Sequence, residues 1–262
     1  MCRSREIGVL FSGSISLILL AISSPVMGSV ILTIPGTDNP WLSGMPNGST
    51  SGTTYPIPYD SAPANSPAAY PGPINGGDVF EFSATGAVSH GSQLYLAPLE
   101  GPNGATATDG EGFHFTSRMS PNADGTENGI GNLTAPVDAL IGVFLNNTQP
   151  NTDGTPPAAL NYGSNPLLNF ASLSPLLNQP FFIGTGTNSD SSSKLFIAPT
   201  GATRLFLGVM DQYNWSDNTG QFILQATDLT TTFAGFPEPT SVSLLAVGGF
   251  GLLKRRMRKM AK

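Results

Sequence analysis

The segment from Asp211 to Gly220 holds the densest group of potential metal ligands in the chain. It reads Asp-Gln-Tyr-Asn-Trp-Ser-Asp-Asn-Thr-Gly, with side-chain oxygens at Asp211, Asp217 and Asn218. Calcium takes about six to eight oxygen ligands from carboxylates, amides and main-chain carbonyls. The Asp and Asn residues do not alternate at two-residue steps, so the spacing is not that of an EF-hand. The segment therefore predicts a calcium-binding loop or, alternatively, a metal-free Asx-rich turn between two strands.

Aromatic residues in predicted loops give a second indication of ligand chemistry. Tyr213 and Trp215 lie within the same segment, and Tyr162 lies in another loop. Sugar rings stack their C–H faces on aromatic planes, so these residues are candidates for carbohydrate contact. The alternative is that they cap the hydrophobic core.

Motifs of the common enzyme classes are absent from the sequence. The chain has no Gly-x-Ser-x-Gly elbow, no His-Glu-x-x-His pair, no phosphate-binding loop and no nucleotide fingerprint. The two histidines, His90 and His114, are the only candidates for a triad base, and the glutamates of the body form no recognisable catalytic pair. The sequence therefore predicts a binding or structural protein rather than an enzyme.

The composition favours strands and turns over helices. Of 262 residues, 31 are Gly and 23 are Pro, while only 11% are charged. A coiled coil or a long helical bundle needs many Glu, Lys, Leu and Ala residues at helical spacing, which this chain lacks. A hydrophobic content of 39% is nevertheless enough to bury a core, which argues against disorder.

Short apolar runs separated by Gly, Pro, Asn and Asp predict an all-β fold, most simply a jelly-roll β-sandwich with long loops. The predicted strands cover residues 30–34, 78–86, 94–96, 139–145, 181–183, 194–198, 204–210 and 221–226, with a turn at 199–202. The run 139–145 is almost continuously apolar, which is typical of a central strand covered on both faces. The stretches 99–132 and 146–180 are predicted to be long loops.

Residues 1–28 have the features of a secretory signal peptide. Arg3 and Arg5 precede an apolar run from residue 7 to 22, and Pro25 and Gly28 mark a small-residue exit. An uncleaved membrane anchor is the alternative. The only cysteine, Cys2, lies in this segment, so the exported body is expected to have no disulfide and no thiolate metal site.

The C-terminal end combines a Pro-Glu-Pro motif at residues 237–239, an apolar stretch at 242–253 and a basic cluster at 254–259. This order resembles the PEP-CTERM sorting signal of Gram-negative bacteria. The resemblance implies transient anchoring in the membrane through residues 240–253 and processing by an exosortase. It also implies an exported protein at the cell surface, in the outer envelope or in the extracellular polysaccharide matrix. A plain C-terminal anchor is the alternative.

The two ends also distort the charge balance. The formal net charge is −6, but eight of the eleven basic residues lie before residue 29 or after residue 237. Fifteen of the seventeen acidic residues lie between those positions, which gives this body a net charge of −12. A body this acidic favours cations and disfavours nucleic acid.

The ranges 78–91 and 195–227 resemble the PA-I-type galactophilic lectins, which bind galactosides through a calcium ion. The likeness lies in Gly77-Asp78 to Gly86, in the Leu-Phe strand and Ala-Pro turn at 195–199, and in the Asp-Asn-Thr-Gly run at 217–220. The resemblance implies side-chain calcium ligands at Asp211, Asp217 and Asn218. It implies carbonyl ligands from His90 and from Asn214 or Trp215, with sugar hydroxyls in the open positions.

The resemblance to these lectins is weaker at the sugar-contacting positions than at the calcium ligands. Asn128 falls where the family has a sugar-contacting glutamine, whereas Gly125 replaces its sugar-contacting histidine. The expected sugar-binding residues are Asn128, Tyr213, Trp215 and Thr219. His114 is a possible substitute donor, and a partly buried loop histidine is the alternative role for it.

The sequence thus predicts five segments. They are a signal peptide at 1–28, an edge strand and Pro/Gly-rich wrapping segment at 29–77, a lectin-like β-sandwich at 78–228, a linker at 229–236 and a sorting signal at 237–262. The expected function is calcium-dependent carbohydrate binding by a protein of the cell surface or matrix. The alternative is a structural matrix component that has the same fold and binds no sugar.

Overall fold

A computed structural model describes residues 26–52, 60–91, 97–105, 115–117, 125–212 and 214–233. Several sequence predictions lie outside these described residues. They concern residues 1–25, the strand at 94–96, His114, Tyr213 and the C-terminal sorting signal. None of the helices in the described ranges is long and apolar enough to cross a membrane.

The described part of the chain is built from β-strands and three short 3₁₀ helices. The strands are β1 Val26–Pro35, β2 Thr50–Ser51, β3 Asp60–Ser61, β4 Ala68–Ala69, β5 Val79–Ser89, β6 Phe115–Ser117, β7 Leu133–Pro136, β8 Leu140–Leu145, β9 Leu160–Asn161, β10 Ser172–Leu173, β11 Pro180–Phe182, β12 Leu195–Ile197, β13 Arg204–Val209 and β14 Thr219–Phe233. The 3₁₀ helices are Pro40–Leu42, Pro150–Thr152 and Asn165–Leu168.

Two sheets form the sandwich. One has the strand order β1-β14-β5-β12-β10, and the other has the order β11-β8-β13-β4. In β14, Phe222, Leu224 and Ala226 are buried while the residues between them are exposed. This alternation lets one face of the sheet cover the core and leaves the other face in solvent.

The core between the two sheets is rich in phenylalanine. Phe80, Phe82 and Phe196 come from the five-stranded sheet, and Phe144 and Phe181 come from the four-stranded sheet. Phe144 lies 5.3 Å from Phe181 and 6.0 Å from Phe80 between ring centroids, so the aromatic contacts cross from sheet to sheet. These contacts fix the distance and register of the two layers.

A second core covers the outer face of the four-stranded sheet. All six residues of β8 are buried, and its Ile141, Val143 and Leu145 side chains pack in this second core. Trp41, Trp215 and Tyr162 pack there too, and the three-stranded sheet β6-β7-β9 contributes to the covering layer. The prediction that the strand at 139–145 is covered on both faces is therefore confirmed.

The predicted all-β sandwich is confirmed, with corrections at several boundaries. β14 continues to Phe233, so residues 229–233 belong to a strand and not to the predicted linker. β1 begins at Val26, within the segment predicted as signal peptide. The predicted long loops contain short strands, including β6 and β9, and both of these pair with β7. These pieces are too short for a hydrophobic period to show in the sequence.

The interlocking phenylalanines lead to a stability prediction. Phe144→Ala removes a fully buried ring from the contact between the two sheets, and we expect the free energy of unfolding to fall by about 3–5 kcal/mol. Ile31→Ala is the control, because Ile31 is 72% exposed on β1 and its truncation should change stability by less than about 0.5 kcal/mol. Chemical denaturation followed by circular dichroism measures both. Equal losses in the two variants would contradict the assigned core.

Candidate functional site

Four segments meet at one end of the sandwich. The end of β5 pairs with the start of β14, with Ser89 opposite Thr219. The start of β8 pairs with the end of β13, and there the Asp138 main-chain N–H donates to the Met210 carbonyl at 2.8 Å. The residues just beyond these strand ends are His90, Asn218, Asp138 and Asp211. Strand pairing therefore brings together polar residues that are far apart in the sequence.

Asp211 is the most buried of the predicted calcium ligands with a carboxylate. Its residue surface is 6% exposed, and it accepts hydrogen bonds from the Gln212 main-chain N–H and the Asn218 side chain. Burial raises the pKa of the Asp211 carboxyl to about 7, against the smaller lowering effects of these hydrogen bonds. Negative charge on Asp138 raises this pKa further, while His90 lowers it. A cation beside Asp211 would relieve both the desolvation and the repulsion.

Asp138 and His90 form a buried pair that the sequence analysis did not identify as a pair. Asp138 is fully buried with a φ of 65°, and its Oδ2 lies 2.7 Å from Nδ1 of His90. The main-chain N–H of His90 also donates to the Asp138 carboxylate. Burial raises the pKa of Asp138, and the bonds to His90 lower it. Within the described residues, Oδ1 of Asp138 has no hydrogen-bond partner.

Asn218 brings a second buried oxygen to this end of the sandwich. Its Nδ2 donates to the Gly36 carbonyl at 3.1 Å, and its main-chain N–H donates to the Trp215 carbonyl at 3.2 Å. The amide oxygen, Oδ1, is buried and has no hydrogen-bond partner among the described residues. A buried acceptor without a donor is destabilising, and a bound cation would satisfy it. Thr219, the next residue, is exposed at the start of β14.

The loop between β13 and β14 is tied to the wrapping segment by Asp60. The two carboxylate oxygens of Asp60 accept the main-chain N–H groups of Trp215 at 3.1 Å and Ser216 at 2.9 Å. Asn39 donates its side-chain N–H to the same carboxylate at 2.9 Å. Sequence reasoning missed Asp60, because it lies in a Pro-rich stretch about 155 positions from its partners in the loop.

Trp215 has a different side-chain role from the one predicted. Its indole is 0% exposed, donates to the Val209 carbonyl at 2.7 Å and lies 5.5 Å from the ring of Trp41. Tyr162 is also buried in the second core. The expectation that these two rings stack on a sugar is therefore wrong, because the covering layer of loops encloses them. The main-chain carbonyl of Trp215 stays a candidate ligand.

The other predicted residues lie in or near the same loop system. Asn214 is half-buried and accepts the Ser216 hydroxyl at 2.7 Å, and Asp217 is half-buried in the turn before Asn218. Asn128, at a φ of 52°, donates its amide N–H groups to the carbonyls of Trp41 at 2.9 Å and Thr50 at 3.1 Å. Its amide nitrogen thus serves the main chain, and its sugar contact stays a prediction.

Acidic and imidazole side chains alone do not form a metal centre here. In the ranges that the structure describes, no three His, Cys, Asp or Glu side chains make a group that could hold a metal ion. The donor set that fits is instead one of mixed oxygens, with Asp211, Asn218 and neighbouring main-chain carbonyls. Calcium is the common biological cation that accepts such a set, because it binds hard oxygens in flexible geometry.

The burial of Asp211 predicts a pH-dependent stability without added metal. Its folded-state pKa is about 7 and its ordinary value is 3.8, so ionisation of the folded protein costs stability as the pH rises between these values. Asp211→Asn removes that cost. In a chelating buffer we expect the variant's stability relative to the natural protein to improve by about 2 kcal/mol between pH 5 and pH 8.

Urea denaturation at a series of pH values measures this difference. Asp190→Asn is the matched control, because Asp190 is exposed and its pKa is lowered by hydrogen bonds from Ser192, so it is ionised throughout this range. A difference between Asp211→Asn and the natural protein that does not change with pH would contradict the assigned environment of Asp211.

Comparisons with known proteins give a structural likeness but no sequence match. No family model matches the chain, and no curated protein matches it. Among solved structures, a chain described as "EclA N-terminal domain; PllA-like lectin" aligns with a TM-score of 0.27 at 12% sequence identity. The alignment covers 76% of this chain and 94% of that one.

Proposed function

We propose that this chain is an exported carbohydrate-binding protein that holds its ligand through a calcium ion. The observation that carries the proposal is the buried oxygen set around Asp211 and Asn218. Asp211 is buried beside a second carboxylate, and Oδ1 of Asn218 has no donor among the described residues. A calcium ion would neutralise the first and coordinate the second.

Five ligands are proposed to hold the ion. The side-chain ligands are Asp211, Asp217 and Asn218, and the carbonyl ligands come from His90 and from Asn214 or Trp215. Calcium bound there would supply open coordination positions for sugar hydroxyls, as the resemblance to galactophilic lectins implies. Asp211, Asn218 and His90 lie at the ends of paired strands, which supports a single site.

Non-enzymatic binding is favoured over catalysis by the same geometry. His90 and Asp138 form a buried histidine–carboxylate pair at this end of the sandwich, and a catalytic triad would need an activated serine beside it. Ser89, the nearest serine in sequence, donates its hydroxyl to the Ala97 carbonyl at 2.9 Å. This serine therefore lacks the hydrogen bond to a base that a nucleophile needs.

Binding to a glycan array tests the proposed function. We expect the full-length protein to bind one class of glycan in calcium and to lose binding in a chelator. Asp217→Asn should weaken binding by about tenfold or more through loss of a charged calcium ligand, and Asp190→Asn should not. Calcium binding without any glycan binding would instead favour the structural matrix protein, and no calcium binding would contradict the proposed site.

Export and processing form a second part of the proposal. The resemblance of residues 237–262 to a PEP-CTERM signal supports anchoring through 240–253, processing by an exosortase and display at the cell surface or in the matrix. We expect the mature protein isolated from its own cells to lack the basic cluster at 254–259. Mass spectrometry of the C-terminal peptide measures this, and an intact terminus at Lys262 would contradict sorting.

A further inference from the structure

Asp60 joins the wrapping segment between β1 and β5 to the loop between β13 and β14, which carries the proposed calcium ligands. Asp60 is 1% exposed and lies in β3, which pairs with β2 through Ser51 opposite Asp60. The Nδ2 group of Asn39 donates a hydrogen bond to the Asp60 carboxylate at 2.9 Å. A carboxylate fixed on one side in this way is a rigid acceptor for the groups on its other side.

Each oxygen of Asp60 binds one of two consecutive peptide groups in the loop. Oδ2 accepts the Trp215 N–H at 3.1 Å, and Oδ1 accepts the Ser216 N–H at 2.9 Å. In a trans peptide the N–H and the carbonyl point in opposite directions. The carbonyls in these two peptide groups belong to Asn214 and Trp215, so both carbonyls must point away from Asp60.

The carbonyl of Trp215 is linked to the proposed cation site through Asn218. The Trp215 carbonyl accepts the main-chain N–H of Asn218 at 3.2 Å. The side chain of Asn218 in turn hydrogen-bonds the carboxylate of Asp211. The indole of Trp215 is buried and donates to the Val209 carbonyl at 2.7 Å, which anchors this part of the loop to the end of β13.

We propose that Asp60 is a positioning residue that aims the ligand carbonyl, that of Asn214 or Trp215, at the calcium ion. The proposal rests on the calcium site of the proposed function and extends it to the wrapping segment. That segment lies outside the ranges 78–91 and 195–227, which carry the lectin resemblance. Asp60 does not bind the ion itself, and acts through the two peptide groups that it holds.

The test compares two buried aspartates that both accept main-chain N–H groups. Asp60→Asn replaces one acceptor oxygen with an N–H₂ group that cannot accept from the loop. Asp78→Asn is the matched control, because Asp78 is 8% exposed, accepts the Asn75 N–H at 2.7 Å and precedes the start of β5, whereas the site follows its end. Both changes are expected to lower the melting temperature of the full-length protein.

Only Asp60→Asn should change the metal site. We expect its calcium affinity, measured by isothermal titration below the melting transition, to fall by about 10- to 100-fold. Terbium bound in place of calcium should carry about one more water molecule, measured from luminescence lifetimes in H₂O and D₂O, because one carbonyl has left the coordination sphere. Asp78→Asn should leave both values unchanged.

The possible outcomes separate the two proposals. If the natural protein binds neither calcium nor terbium, the proposed function fails and the role of Asp60 fails with it. If the natural protein binds calcium and Asp60→Asn binds it with the same affinity and the same number of waters, only the role of Asp60 is overturned. Asp60→Ser, which keeps a hydroxyl acceptor without charge, replaces Asp60→Asn if that variant does not unfold cooperatively.

Discussion

The Asp211 carboxylate, buried where β13 ends, is the constraint on which this end of the molecule depends. A carboxylate shielded from water must be neutralised by a proton or by a cation. The neighbouring groups have opposite effects on the ionised form of Asp211. Asp138 destabilises its negative charge, and His90 and Asn218 stabilise it. The strand pairing that forms the sandwich also holds these groups in place. The fold that buries the Asp211 carboxylate is therefore stabilised when the charge on that carboxylate is neutralised.

The covering layer on the four-stranded sheet determines which side chains near the loop are exposed to a ligand. Trp41 and Trp215 fill the second core beneath this layer, and their rings are removed from solvent. Residues 214–218 are consequently held by the packing of Trp215 and by the hydrogen bonds to Asp60 in the wrapping segment. A rigid loop loses little conformational entropy when it binds an ion. In the proposed function, the same packing leaves recognition of a sugar to polar groups and to residues outside the second core.

The sequence predicted the strands well where the hydrophobic pattern was long. The alternation in β5 and β14 and the continuous apolar run of β8 follow directly from burial on one face or on two. It also indicated Asp211 and Asn218 as neighbours at a strand end. It could not show Asp138 or Asp60, because each reaches the loop through pairing between distant segments, and neither has a local motif. The role of Trp215 stayed open between sugar contact and core packing, because a covering layer of loops leaves no periodic signal.

X-ray diffraction of crystals grown in millimolar calcium, with data collected for anomalous scattering, tests the central claim most directly. We expect an anomalous peak within about 2.3–2.6 Å of oxygens from Asp211 and Asn218, the range of calcium–oxygen bonds. The peak should also lie on the side of the loop opposite Asp60. A site without a peak, with Asp211 bonded only to protein and water, would contradict the assignment of this end of the sandwich as a calcium site.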